Sequence, residues 1–156
     1  MDGIAQDPVR GMQVTMLLAE FAAAPEGKLT VVGGGWNTTG PNAPCSIGMV
    51  FYTPWHLTNQ KHEFRLELID MDGNGVTLHD SEEPFVAEGQ FEVGRPPGAP
   101  TGTTFPVAVP LNLGPLGLPP HQRYEFRLQV DGQAHEDWRL VFNTVPPIQG
   151  QQRRAA

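Results

Sequence analysis

Cysteine is almost missing from this chain. Cys45 stands alone among 156 residues, so no disulfide can form within the chain. The fold must rest on an apolar core, which a chain of this length can bury without staples. Long hydrophobic runs are missing as well. The longest, MLLAEFAAA at 16–24, is interrupted by Glu20 and is far too short to cross a bilayer, so no membrane partner is expected. The first eleven residues, MDGIAQDPVRG, hold two acids before the first Arg and no apolar stretch. No secretory signal is expected there, and the expected location is the cytoplasm or a virion. Positive charge is scarce: 10 bases, of which Lys28 and Lys61 are the only lysines, face 17 acids, for a net charge of −7. Such a surface repels phosphate backbones, and the one adjacent basic pair, Arg153–Arg154, lies in the tail. No nucleic-acid partner is expected.

The signatures of chemistry are also missing. VVGGGWN at 31–37 is glycine-rich, yet it fits neither G-x-G-x-x-G nor G-x-x-x-x-G-K-[ST], and the following NTTGPNAP cannot open a helix. No G-x-S-x-G marks a serine nucleophile. The five histidines (His56, His62, His79, His121, His135) show no zinc-like spacing, and no C-x-x-C occurs. Cys45, entering a strand, reads as a small buried apolar group. No catalytic residue and no cofactor is expected, and an enzyme ranks last among the functional classes.

Glycine and proline are what the chain has in plenty. Eighteen and sixteen of them gather in clusters such as GGG (33–35), GRPPGAPTG (94–102) and GPLGLPP (114–120). Clusters of breakers between short apolar runs mean many turns. The runs themselves alternate. EFRLQV at 125–130 sets Phe126, Leu128 and Val130 against Arg127 and Gln129, and RLELI at 65–69 does the same. TFPVAVPLNL (104–113) puts Phe105, Val107, Val109, Leu111 and Leu113 on one face and two prolines on the other, which marks an edge strand. Further strands are expected at 12–22, 28–36, 46–53, 76–79, 85–93 and 137–145, with a hairpin about PEG at 25–27 and one short helical turn within 55–62. Eight or nine short strands predict an all-β protein, an antiparallel β-sandwich of immunoglobulin-like, Greek-key type. One domain is expected over 12–147, between flexible tails at 1–11 and 148–156.

Five features are candidate sites. DMDGNG at 70–75 fits D-x-[DN]-x-[DN]-G, with Gly75 expected at the sharp turn and Asp70, Asp72 and Asn74 as oxygen donors. The twelfth position, which needs a bidentate acid, is Ser81, and the flanks read as strands. A hairpin tip is therefore preferred, with weak Ca2+ binding as the alternative. Trp36 and Trp55 read as core or rim aromatics, and alternatively as the lining of a small-ligand or carbohydrate-like cleft. Tyr124, after LPPHQRY, reads as a corner tyrosine whose hydroxyl bonds backbone upstream. Arg95, the one charge in GRPPGAPTG, either caps a sheet edge or contacts a partner. HEFRLELIDMDG (62–73) and YEFRLQVDG (124–132) echo one another, each closing on the Asp-Gly hairpin signal.

The stretches MLLAEFAAAPEGKLTVVGGGW, FYTPW, HEFRLELIDMDG, FEVGRPPG and LNLGPLGLPPHQRYEFRLQVDG, covering most of 12–132 in order, resemble an uncharacterised family of small all-β proteins of actinobacteria and their phages. The resemblance implies a fold and no activity. The expected function is non-enzymatic: protein–protein contact, as a phage virion accessory or decoration-type subunit or as a self-associating cytoplasmic protein. Stiff proline-rich loops would hold a contact face at low ordering cost.

Overall fold

The computed structural model describes residues 7–147. They form an all-β protein of several sheets, one of them curled into a half-barrel. The strands are β1 (Gln13–Ala19), β2 (Phe21–Ala23), β3 (Thr30–Val32), β4 (Thr38–Thr39), β5 (Ser46–Thr53), β6 (His62–Asp70), β7 (Val86–Phe91), β8 (Phe105–Asn112), β9 (Arg123–Val130) and β10 (Gln133–Thr144). Three sheets result, ordered β1-β5-β8, β4-β10-β9-β6-β7 and β2-β3. The expected helical turn is a 3-10 turn at Trp55–Leu57. Among the described residues no helix is long and apolar enough to cross a membrane. The expected tails lie largely outside the described residues.

The alternating stretches became the strands, for the reason given by their period: every second side chain enters the core. Ile47, Met49 and Phe51 of β5 face Phe64, Leu66 and Leu68 of β6 and Phe126, Leu128 and Val130 of β9, and Trp138 and Phe142 of β10 complete the cluster. Phe51 joins the two larger sheets, its ring 4.4 Å from that of Phe91 and 5.5 Å from that of Phe64. Burying each such side chain contributes about 2 kcal/mol, which makes this shared interior the main source of stability.

The echoed sequences lie side by side. β6 and β9 pair antiparallel with Leu66 opposite Leu128, so the repeated motif brackets a local pseudo-twofold point. Asp131-Gly132 is the two-residue hairpin its signal announced: Val130 pairs with Gln133, and both loop residues have positive φ (50° and 80°). The proline-bearing β8 is an edge strand, as expected.

Three expectations needed correction. The 12–22 stretch does not run on as one hairpin arm. It breaks at Glu20, so that β1 pairs with β5 while β2 alone pairs with β3 across the PEG turn. The strand expected over 28–36 shrinks to Thr30–Val32, because Gly33 and Gly35 take left-handed conformations. The strand expected at 76–79 is a loop. After a single bridge from Ile69 to Gly75 the chain leaves the sheet, Leu78 turns into the core, and His79 and Asp80 adopt φ of 56° and 58°, which no strand tolerates.

Candidate functional site

At the 70–75 turn, the Asp70 carboxylate is used by its own backbone. Oδ1 accepts hydrogen bonds from the amides of Asp72 and Asn74, both at 2.9 Å, and the Gly73 amide bonds the Asp70 carbonyl at 3.0 Å. This is an Asx turn, in which a carboxylate satisfies amides that the loop would otherwise orphan. Gly73 (φ 83°) makes the turn, not Gly75. Gly75 is required for a different reason: a Cβ there would meet Pro84 at 2.8 Å. Among the described residues, no group of three or more His, Cys, Asp or Glu side chains is placed to hold a metal ion.

Trp55 and Arg95 come together although they are forty residues apart. The guanidinium carbon lies 4.0 Å from the centre of the indole, Arg95 Nε donates to Thr58 Oγ1 at 2.6 Å, and an Nη donates to the Trp55 carbonyl at 2.8 Å. Arg95 thus staples the proline-rich excursion to the 55–58 turn, and one face of Trp55 is covered. Trp36 packs against the core, its indole N–H donating to the Gly33 carbonyl at 3.0 Å.

Tyr124 is buried against Phe142, with ring centres 5.8 Å apart, but it is not the hydrogen-bonded corner. The corner is tied by Thr144. Its hydroxyl donates to the Pro119 carbonyl at 2.6 Å and accepts from the Gln122 amide at 3.0 Å, while its carbonyl accepts from the His121 amide at 2.8 Å. A threonine this far along the chain gives no local signal of such a role.

His62 is the polar residue that sequence reading missed. It is 2% exposed, and its two ring nitrogens face Asp131 Oδ2 at 2.7 Å and the Leu57 carbonyl at 2.8 Å. Asp131 Oδ1 in turn accepts the Glu63 amide at 2.8 Å. A His–Asp pair suggests proton transfer, but here the second nitrogen ends on a carbonyl that can only accept, so the ring fastens the 3-10 turn to the β9–β10 hairpin. Cys45 is equally enclosed: burial pushes its thiol up to about 12, so it stays protonated at neutral pH.

The outward faces of the two larger sheets differ most. On β6 and β9 most outward residues are charged, and several are paired: Arg65 reaches Glu67 and Glu88 at 3.0 Å, and Glu125 accepts Arg127 at 2.9 Å and sits 3.7 Å from Arg139. On the β1-β5-β8 sheet the outward rows are Gln13–Tyr52–Pro106, Thr15–Val50–Ala108, Leu17–Gly48–Pro110 and Ala19–Ser46–Asn112. No row contains a charge. Asn112 holds the β2–β3 hairpin over the last of them, its amide exchanging hydrogen bonds with both backbone groups of Ala22. Leu29 and Val31 settle where Gly48 has no side chain. The first two rows stay partly open, and on the hairpin the cross-strand pair Phe21 and Val32 is 51% and 54% exposed.

A model described as a family of unknown function, DUF6941, matches residues 14–143, and the chain belongs to that family. A search of curated proteins finds no match to the chain.

Proposed function

We propose that the protein is non-enzymatic and works by protein–protein contact through the outward face of the β1-β5-β8 sheet, with a second copy of itself as the occupant. The observation that carries this reading is the four uncharged cross-strand rows on that face, extended by the exposed Phe21–Val32 pair. A molecule of net charge −7 repels its own copies, and an uncharged face is where two of them can meet at least electrostatic cost. Partly open apolar surface of this kind contributes to association when it is covered. The non-enzymatic part of the reading is supported by His62, whose ring is spent on two structural acceptors. An immunoglobulin-like, Greek-key sandwich remains the finer proposal for the fold, supported by two sheets facing one core. A virion accessory subunit and a self-associating cytoplasmic protein are the two settings in which such a face would serve.

Sedimentation equilibrium from about 10 μM to about 1 mM, the range of weak to moderate homodimers, tests this. The wild type is expected to self-associate, and Val50→Lys, which places a charge in the centre of the face, is expected to stay monomeric with its fold intact. A wild type that is monomeric throughout, or a Val50→Lys variant that associates equally well, would overturn it.

A further inference from the structure

A second surface, independent of the sheet face, lies where the inner face of the five-stranded sheet runs out. Asp70 and Tyr124 are cross-strand partners at that end. The loops at 75–80 and 116–122 pass beside them and leave a cleft of about 520 Å³, within the range of small-molecule sites. Its lining includes the apolar Leu116 and Leu118, Tyr124, and the acids Asp70 and Asp80. No Lys or Arg lines it among the described residues.

Tyr124 gives the cleft its direction. The residue is 7% exposed, and its hydroxyl has no hydrogen-bond partner among the described residues. It is not sealed either, since the one fully enclosed side-chain polar atom without a partner there is Thr53 Oγ1. The phenol oxygen is therefore open to solvent, and Tyr124 is one of the residues that line the cleft. Burial and the neighbouring Asp70 charge both hold the phenol above its ordinary range, so it remains an O–H. Asp70 Oδ1 is occupied by two amides, and Oδ2 has no hydrogen-bond partner among the described residues. The lining thus combines the half-buried Asp70 carboxylate, the Tyr124 hydroxyl, the apolar Leu116 and Leu118, and a second acid, Asp80.

We propose that this cleft binds an organic cation: an ammonium or guanidinium group on a short aliphatic stem, the stem on Leu116 and Leu118 and the charge between Asp70 and Asp80. An anion would meet two carboxylates, while the one basic side chain of the lining, His79, has its Nε2 turned to the Pro115 carbonyl at 2.8 Å; a purely apolar ligand would strip water from Asp70 and Tyr124 without replacing it. The cation could be a free amine or the Arg or Lys side chain of a protein.

The test is an amide-shift titration of the whole chain at low salt with three probes: agmatine, a blocked Gly-Arg-Gly peptide and n-butanol. Agmatine is expected to give saturable shifts confined to 75–80 and 116–124, with Kd of about a millimolar, weakening as salt rises. Asp70→Asn keeps an oxygen for the Asx turn while removing the charge, and should weaken binding about tenfold, as should Asp80→Asn to a smaller degree. Tyr124→Phe keeps the packing on Phe142 and should weaken it about threefold. Stronger binding of the peptide assigns the cation to a protein side chain, and stronger binding of agmatine assigns it to a free amine. The proposal fails if neither cation gives saturable shifts up to about 50 mM, if n-butanol reproduces the agmatine shifts, or if folded Asp70→Asn and Tyr124→Phe variants bind like wild type. The Val50→Lys variant should retain cation binding, so the failure of self-association and the failure of this site are separable.

Discussion

On β6 the residues facing away from the core are Glu63, Arg65 and Glu67; on β5 they are Gly48, Val50 and Tyr52. Both strands have an antiparallel neighbour on each side and send the same kind of residue inward, Phe64, Leu66 and Leu68 in one case and Ile47, Met49 and Phe51 in the other. The five-stranded sheet is finished as a solvated surface. Even Arg127 and Arg139, which lie directly opposite one another, are reconciled by Glu125, buried between them. The three-stranded sheet is left uncharged outside and is only partly covered by its own hairpin. A single core does not require a single kind of surface, and the uncharged side is where contact would cost least.

The sharpest way to break this comparison is to remove the polar ties of the five-stranded side. His62→Leu would strand the Leu57 carbonyl and the Asp131 carboxylate, and is expected to cost about 3 kcal/mol in denaturant unfolding. A loss below about 0.5 kcal/mol would mean that the tie is incidental. Glu125→Leu should cost about 1–2 kcal/mol by leaving two arginines face to face, and the deficit should shrink as salt rises. If it stabilises the protein instead, the charged face is not maintained by that carboxylate. On the other sheet, Thr53→Val is expected to raise stability by about 1 kcal/mol, since it removes the enclosed hydroxyl that has no partner among the described residues. A loss of that size would show the hydroxyl to be satisfied in solution. The smallest change in stability is expected for Val50→Lys, within about 0.5 kcal/mol, although its effect on self-association should be the largest of the set.

Local pattern made much of the architecture legible. Alternation in EFRLELI and EFRLQV gave β6 and β9, the two prolines of 104–113 gave β8 its place at an edge, and Asp131-Gly132 gave the β9–β10 hairpin. The break at Glu20 was not legible, because the residues on either side are equally apolar and only the presence of β5 draws 13–19 away from 21–23. The loop at 76–79 had the composition of a strand and lost that conformation when Leu78 found the core. The candidate sites followed the same division. The polar turn at 70–75 was legible from residue type, whereas the tie of Arg95 to Trp55 and Thr58 and the His62–Asp131 tie, which spans 69 positions, carry no motif.

Taken alone, the order of residues determined that this chain is all-β, which side chains enter the interior, and where the chain reverses, because those choices depend on alternation and on the dihedral limits of Gly, Pro and Asp-Gly. Tertiary structure alone decided which outward faces adjoin, that one would be neutralised and the other uncharged, and that Asp70, Asp80 and Tyr124 would border one cleft. Those outcomes depend on register and strand order, which join residues far apart in sequence and are fixed only when both sheets close on the same core.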